Sequence, residues 1–258
     1  MDTRYWGPSA WRLLHLITFG AKKKSAKAIC EFFETLPYVL PCKHCRTSLS
    51  EYITKDPVDC AIKEDRLERW LWRIHNAVNA KLRRQKIPTA PDAPFEKVAA
   101  FYEARLATGC SRTAFEGWDF LFSVAEAHPF SRGARISTPI EGHPPLEQLA
   151  ASGPLERNRW NVMTPEERLP FYDRFWELLP EVFPFQEWST AWRRAERDAP
   201  QTCSREGCLK GVWAIRRAME EDLELLNRTT YASLCKELRY NRVGCGRKTC
   251  RRKRGTSG

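Results

Sequence analysis

The sequence contains no apolar run long enough to cross a membrane. No stretch of about eighteen consecutive apolar residues occurs, and residues 1–6 do not form a basic segment that leads into an apolar run of signal-peptide length. These absences argue against a membrane-spanning protein and against export through a signal peptide. We therefore expect a soluble, cytoplasmic protein with no membrane partner.

Acidic residues are scarce near the C-terminus. Between Lys236 and Arg254, nine Lys and Arg residues accompany one acid, Glu237, so this segment carries +8 of the net charge of +11. Its basic run at 251–254 could contact nucleic acid, an import receptor or an acidic protein, or be a solvated tail. Tyr240 is the only aromatic residue there, so base stacking is not indicated. Nucleic acid is thus a possible partner only through this tail.

Strand-like alternation is absent from the first half, where apolar residues recur at three- and four-residue spacing. Helices are predicted at about 6–18, after Lys24 up to Pro37 and Pro41, after Cys45 up to Asp56, and over 67–82. A further helix is predicted to begin at Pro94 and to bury Val98, Phe101 or Tyr102, and Leu106. In the second half, helices are predicted from Thr164-Pro165 and at about 186–197 and 209–227. The predicted fold class is all-α.

Cysteine, in contrast, is abundant, with ten residues in a chain of 258. In a reducing compartment such usage points to metal binding or catalysis. Cys42 and Cys45 form a Cys-x-x-Cys pair at a predicted helix start, where the positive helix end stabilises a thiolate. Taken alone, the pair is half of a zinc site, a structural disulfide or a redox centre. The absence of strands around it excludes a thioredoxin-like arrangement.

Three motifs together resemble a known family. Trp-Gly-x-x-x-Trp-x-x-x-His begins at Trp6, Pro-Cys-x-x-Cys begins at Pro41, and Trp-x-x-x-x-His-Asn-x-Val-Asn-x-Lys-Leu begins at Trp70. In this order, over residues 4–110, they resemble the Erv/ALR family of FAD-linked sulfhydryl oxidases. The resemblance implies a four-helix bundle with a short fifth helix, FAD as cofactor, no metal, and a homodimer formed through this domain.

The resemblance also implies residue roles. Cys45 would be the sulfur next to the flavin, and Cys42 the sulfur that exchanges with incoming protein dithiols. The implied FAD-binding residues are Gly7, Trp11 and His15 around the flavin, Trp72, His75, Asn76, Asn79, Lys81, Leu82 and Arg84 around the adenine and phosphates, and Tyr102 near the adenine. Without the motifs, a histidine on an apolar helix face would more often be a core residue.

The chain departs from the family pattern in three places. Leu40 stands where the family commonly has an aromatic residue, so Tyr38 is expected to form part of the flavin wall. Cys110 fits one partner of a structural disulfide, but Phe95 occupies about the place of the other. An N-terminal tail with shuttle cysteines is also missing. These departures concern the disulfide staple and the route by which electrons enter.

The chain is predicted to divide into an Erv/ALR domain, residues 1–112, and a helical C-terminal domain with a cysteine-rich basic tail, residues 113–258. Residues 128–158 are rich in Pro and Gly and are predicted to be a long loop or linker. A helical extension of this kind resembles the two-domain oxidases of large cytoplasmic DNA viruses. That comparison implies action in the host cytoplasm or virion, while an organellar member remains an alternative.

The C-terminal cysteines leave several interpretations open. Cys245 and Cys250, with four residues between them, are candidates for a shuttle that passes electrons to the central pair. Four of the five cysteines at 203, 208, 235, 245 and 250 could instead bind zinc, Cys203 and Cys208 could form a structural disulfide, or all could be free thiols.

The sequence therefore predicts an FAD-dependent thiol oxidase that makes disulfides in protein dithiols and passes the electrons to O2, giving peroxide. The competing class is a non-enzymatic zinc or nucleic-acid binding protein that uses the cysteine-rich basic tail. The His-Asn-x-Val-Asn-x-Lys motif discriminates between them, because such a module has no reason to contain it.

Overall fold

The structure, a computed structural model, describes residues 1–131, 138–199 and 204–242. The described residues form thirteen α-helices and no strands, which confirms the predicted fold class. The helices of the first half are α1 Thr3–Gly20, α2 Ala26–Val39, α3 Lys43–Lys55, α4 Val58–Lys63, α5 Leu67–Arg84 and α6 Phe95–Ala107. Those of the second half are α7 Trp118–Glu126, α8 Leu146–Ala150, α9 Pro154–Arg159, α10 Pro165–Val182, α11 Gln186–Asp198, α12 Arg205–Asp222 and α13 Tyr231–Arg242. None of these helices has the length and apolarity needed to traverse a lipid bilayer.

Local chemistry explains several helix ends. The Thr164 hydroxyl accepts from the Glu167 N–H at 3.2 Å, and the Glu167 carboxylate accepts from the Thr164 N–H at 2.8 Å, so α10 begins with a complete capping box. This confirms the predicted start of α10. Asp2 caps α1, and Ser25 caps α2, in the same way, by accepting a backbone N–H of the first turn.

The structure corrects some predicted elements. Pro37 does not end α2 but lies inside its last turn, and the helix continues to Val39. The short helices α4, α8 and α9 were not predicted, because five or six residues contain too little of the helical period to show a pattern. Nor were α7 and α13, and α12 ends at Asp222 rather than near Asn227.

Helix α6 is also less buried than predicted. None of its residues is fully buried, and Phe101 is 62% exposed, whereas Tyr102 and Leu106 pack only partly against the core. The helix contacts α1 and α5, which places Tyr102 beside His15 and Phe19 at the edge of the first half.

One hydrophobic core spans both halves. α2 packs most extensively against α10, and α1 packs against α7 as well as α5. Phe32 of α2 stacks on Phe175 of α10 with ring centroids 5.4 Å apart, and Phe175 also meets Phe120 of α7. The predicted division at residue 112 thus falls within a chain whose core is continuous, and the two-domain division stays a prediction.

Candidate redox site

The cysteine pair lies at the beginning of α3. Cys42 is the N-cap residue, and its carbonyl accepts from the N–H groups of Cys45 and Arg46, each at 3.0 Å. Cys45 therefore lies in the first helical turn, where the positive end of the helix dipole favours negative charge. This position suits sulfurs that alternate between a disulfide and a thiolate.

The two sulfurs differ in exposure. Cys42 is only 1% exposed, whereas Cys45 is partly exposed. The second half contacts α3: α9 packs on this helix, and Lys43 Nζ donates to the Thr138 carbonyl at 3.4 Å. An incoming dithiol that exchanges at Cys42, as the resemblance implies, must therefore reach a buried sulfur.

Four ring-bearing residues from three helices form one cluster, named here the ring cluster: Trp11 and His15 of α1, His75 of α5 and Tyr102 of α6. His15 Nε2 lies 3.2 Å from His75 Nδ1, and Trp11 stacks on His75 with centroids 4.0 Å apart and planes 10° apart. Tyr102 stacks on the other histidine with centroids 5.0 Å apart. Residues from two of the three motifs thus meet Tyr102 at one place.

Both histidines of the ring cluster are neutral at ordinary pH. Burial, with a smaller effect from His75, lowers the pKa of His15 to about 3, and burial lowers the pKa of His75 to about 4 although Asp92 opposes the shift. One imidazole then donates across the 3.2 Å contact. His15 Nδ1 is buried with no hydrogen-bond partner among the described residues, which leaves a polar atom for another group to bind.

Lys81 joins the redox pair to α5. Its ammonium donates to the His44 carbonyl at 3.4 Å and to the Ser48 hydroxyl, both on α3. Asn79 instead donates to the Asp92 carboxylate at 2.9 Å, and the Trp72 indole N–H donates to the Ala93 carbonyl at 2.9 Å. These two side chains hold the segment between α5 and α6 against α5.

The other predicted binding residues occupy the same helices. Asn76 and Leu82 are half-buried on α5, and Arg84 is exposed at its C-terminal end. Gly7 lies in α1, where a Cβ added to it would meet no atom within 4 Å, so the folded chain itself does not require glycine there. Ring stacking and one hydrogen bond join Trp11, His15, His75 and Tyr102 to one another.

These residues fit the FAD that the resemblance implies. The ring cluster offers flat ring faces for a ring system, His15 Nδ1 is an unused polar atom, and Lys81 and Arg84 supply cations for a pyrophosphate. The neutral state of both histidines also keeps positive charge away from the stacked rings.

Two of the departures from the family pattern have visible outcomes. Tyr38 stacks on Phe171 of α10 with centroids 3.8 Å apart, so one face of its ring is covered by the second half instead of lining the site. Cys110 is a free thiol whose sulfur lies 3.9 Å from the Ser111 carbonyl, and Phe95 packs edge-on against Trp72.

The structure adds residues that the sequence patterns missed. Arg46 donates to the Leu40 carbonyl at 3.1 Å and to Asn161 Oδ1 at 2.8 Å. Asn158 donates to the Pro37 carbonyl at 2.8 Å, and Arg168 donates twice to the Tyr38 carbonyl. Only the position of Arg46 directly after Cys45 could have signalled a role, because the other residues lie more than a hundred positions away in sequence.

The C-terminal candidates are mostly outside the described residues. Cys203, the shuttle candidates Cys245 and Cys250, and the basic run at 251–254 all lie there. Cys208 lies 3.0 Å from the Tyr172 hydroxyl, and Cys235 is half-buried on α13. Within residues 1–131, 138–199 and 204–242, no three His, Cys, Asp or Glu side chains group as metal ligands.

Comparison with known proteins supplies the remaining evidence. The model of the Erv1 / Alr family matches residues 8–98. The chain is 35% identical over 91 residues to the FAD-linked sulfhydryl oxidase of African swine fever virus, a match that covers 32% of this chain and 72% of the viral protein. It is 29% identical over 89 residues to the mitochondrial FAD-linked sulfhydryl oxidase of Saccharomyces cerevisiae, covering 33% and 47% of the two chains. No solved structure is significantly similar to it.

Proposed function

The chain belongs to the Erv1/Alr family of FAD-linked sulfhydryl oxidases, and from this premise we propose that it makes disulfide bonds in protein dithiols through Cys42 and Cys45 and delivers the electrons to O2. FAD is the cofactor of this thiol oxidase. The observation that carries the proposal is the ring cluster, in which residues of two motifs, Trp11 and His15 of α1 and His75 of α5, meet Tyr102 of α6, while Lys81 links α5 to the helix of the cysteines.

The chemistry begins at Cys42. A substrate thiolate attacks the Cys42 sulfur, the Cys42–Cys45 bond breaks, and Cys45 leaves as a thiolate stabilised by the first turn of α3. The second substrate thiol then attacks the mixed disulfide and releases the oxidised product. The pair has now gained the two electrons that the substrate has lost. When bound, FAD accepts these two electrons from Cys45 and allows O2 to be reduced to H2O2.

The chain's own residues provide the setting for this transfer. In this proposal the flat faces of the ring cluster and its neutral histidines bind the ring system, and Lys81 and Arg84 bind the phosphates. Lys81 also fixes the first turn of α3 by its bonds to the His44 carbonyl and the Ser48 hydroxyl. It therefore sets the distance between the cysteines and whatever the ring cluster binds.

The homodimer is part of the proposal, and the fold restricts where it could form. The buried faces of α1 and α2 are occupied by α7 and α10 of the same chain. A second copy would therefore have to use another surface of the first half. Light scattering of the purified protein over a range of concentrations tests this, because a constant monomer mass contradicts the dimer.

The viral relative supports a further part of the proposal, namely action in the host cytoplasm or in a virion. Fractionation of infected cells and of purified particles, followed by detection of the chain, tests this location. Recovery only with mitochondria would contradict it and favour the organellar alternative.

The decisive experiment is the visible absorption spectrum of the purified protein before and after anaerobic addition of dithiothreitol. We expect a flavin spectrum that bleaches and then returns, with one H2O2 per dithiol, when air is admitted. Reduced ribonuclease A is the protein dithiol substrate in the same assay. A protein that remains colourless after incubation with FAD contradicts the proposed function, and a flavin that bleaches but yields no peroxide contradicts O2 as the acceptor.

A further inference from the structure

The six residues 37–42 are named here the redox loop: they comprise the end of α2 and the three residues that join it to α3, the last of which is Cys42. Side chains bind three of its carbonyls: Asn158 binds that of Pro37 at 2.8 Å, Arg168 binds that of Tyr38 at 2.8 and 3.2 Å, and Arg46 binds that of Leu40 at 3.1 Å. Asn158 and Arg168 belong to the second half. The redox loop is therefore held in place largely by the part of the chain that lies outside the family match.

Arg168 brings a buried positive charge to the redox loop. Arg168 is only 4% exposed, and no carboxylate among the described residues forms an ion pair with it. Its hydrogen-bond acceptor is the neutral Tyr38 carbonyl. An isolated buried charge is unfavourable by several kcal/mol unless an opposite charge forms near it. The fold thus keeps a cation where a negative charge would be stabilising.

Arg46 adds a second buried guanidinium at the same place. Its other nitrogen donates to Asn161 Oδ1 at 2.8 Å, and the Asn161 amide donates to the Thr138 carbonyl at 2.9 Å, so the second half also fixes this arginine. Burial, and next the like charge of Arg46, lower the pKa of Arg168 well below its ordinary value. The positive charges of Arg46 and Arg168 are therefore held near each other beside the redox loop.

The sulfur of Cys42 is the group at the redox loop that can supply the missing negative charge. Cys42 follows Leu40 by two residues and Tyr38 by four, is itself buried, and occupies the N-cap position at the positive end of α3. Reduction of the Cys42–Cys45 bond adds two electrons and two protons when both sulfurs become thiols. It adds two electrons and only one proton when one sulfur remains a thiolate.

We propose that Arg168 is a positioning residue of the redox pair, which holds the redox loop by the Tyr38 carbonyl and, together with Arg46, stabilises a thiolate in the reduced pair. The proposal rests on the proposed function of Cys42 and Cys45. A cation that stabilises the thiolate favours the reduced form, so it raises the reduction potential and makes the disulfide a stronger oxidant of substrate.

The test measures the thiol–disulfide equilibrium of the pair directly. The FAD-bound, full-length protein is equilibrated without oxygen in mixtures of reduced and oxidised glutathione at pH 7, then quenched with acid and alkylated. Mass spectrometry of the peptide that carries both cysteines gives the fractions with the disulfide and with two alkylated thiols. The chain and its Arg168→Gln, Arg168→Lys and Arg174→Gln variants are compared. Arg174 is the matched control because it is an exposed arginine on the same helix, paired with Glu31.

We expect Arg168→Gln to shift the equilibrium constant about tenfold toward the disulfide, which corresponds to about 30 mV for two electrons. Arg168→Lys keeps the charge and should remain within about twofold of the parent, as should Arg174→Gln. An unchanged constant in Arg168→Gln overturns the proposal, and so does an equal shift in Arg168→Lys, because geometry alone would then be responsible.

A second measurement serves if Arg168→Gln does not fold. The rate at which iodoacetamide alkylates the reduced pair of the parent chain is followed against pH, with an expected midpoint below about 7; a midpoint at or above the ordinary cysteine pKa of about 8.5 overturns the proposal. The other titratable or charged groups around the redox loop are Glu34, Lys43, His44, Arg46, Lys81, His128, Arg157 and Tyr172, all of which stay unchanged in both measurements.

The two proposals fail in different ways. A parent chain that does not oxidise dithiols, or whose pair does not interconvert in glutathione, contradicts the proposed function. A parent chain that turns over normally, with an equilibrium constant that does not respond to the charge at position 168, contradicts only the role of Arg168.

Discussion

Cys42 and Cys45 are separated by one helical turn but differ in what surrounds them. Cys42 belongs to the buried core, and Cys45 is partly exposed beside the helix that carries Lys81. The roles implied by the family, with exchange at Cys42 and electron transfer from Cys45, therefore require that substrate reach a sulfur the fold covers.

The first prediction concerns Cys45. We expect Cys45→Ser to lower dithiol oxidase turnover by about 10³-fold or more, because the variant can no longer pass electrons onward, while the absorbance of bound FAD is retained. Oxygen uptake with dithiothreitol measures the turnover. Cys235→Ser, which removes a half-buried cysteine of α13, is the control and should keep the parent rate. Full turnover in Cys45→Ser would remove Cys45 from the mechanism.

The second prediction follows from the neutral histidines. His15 and His75 have pKa values of about 3 and 4 in the folded protein, below the unfolded value of about 6.5. As the pH falls through 6.5, the unfolded chain binds protons that the folded chain does not, so stability present above pH 6.5 is lost progressively down to the folded values. Between pH 6 and 5 the free energy of unfolding should fall by about 2 kcal/mol for the two histidines together.

Urea unfolding at pH 7, 6 and 5 measures this loss. In His15→Asn the dependence on pH should be smaller by about 1 kcal/mol per pH unit, whereas His143→Asn, which lies outside the ring cluster, should keep the parent slope. Equal slopes in all three proteins would show that the histidines of the ring cluster do not remain neutral as the pH falls.

At the scale of helices, α10 does more than pack against α2. Its first turn carries Arg168, so the capping box formed by Thr164 and Glu167 fixes the turn from which this arginine reaches the redox loop. The cap at Thr164 and the arginine that binds the redox loop are thus only four positions apart in the sequence.

The third prediction tests that cap. Thr164→Ala should lower the free energy of unfolding by about 1 kcal/mol, because the Glu167 N–H loses its acceptor, while Thr164→Ser should restore most of it. Thr190→Ala, on the exposed face of α11, should change stability by less than about 0.5 kcal/mol. Denaturant unfolding measures all three. A Thr164→Ala protein as stable as the parent would indicate that the cap contributes nothing to α10.

How well the sequence predicted an element depended on how local its signals are. The start of α10 follows from Thr164, Pro165 and Glu167, which are adjacent, and the buried side of α5 follows from its regular apolar spacing. The short helix α9 has no such pattern, and α6 follows the predicted spacing without burying the predicted residues. Burial depends on neighbouring helices, which spacing alone does not reveal.

The site was predictable to a similar degree. The cysteine pair, Trp11, His15 and His75 belong to motifs that are readable in sequence, and the structure brings the last three together with Tyr102. Their long-range companions were not predictable. Asn158 and Pro37, for example, are 121 residues apart, and an asparagine in a Pro- and Gly-rich segment gives no sign of its partner.

At the scale of the whole molecule, the two halves share a core across their predicted boundary. Phe32 and Phe175, both fully buried, form a stacked pair across it. If the halves separated, each would expose these apolar side chains to water. We therefore expect the chain to unfold as one unit.

The fourth prediction concerns this shared core. Phe32→Ala and Phe175→Ala should each lower the free energy of unfolding by about 3–5 kcal/mol, and the double variant should lose about 1 kcal/mol less than the sum, because the two rings contact each other. Near-UV and far-UV circular dichroism should report one coincident transition in the parent. Two separate transitions, together with strictly additive losses, would establish independent halves instead.

The distance in sequence between the redox loop and the residues that hold it has a consequence for synthesis in the cell. The ribosome releases Cys42 and Cys45 early, but the carbonyls of Pro37 and Tyr38 receive their donors only after Asn158 and Arg168 have emerged. Contacts between such distant positions form late in folding. A nascent chain therefore carries its cysteines without a finished redox centre until residues 158 and 168 have emerged, and the proposed ability to oxidise other proteins arises only after that point.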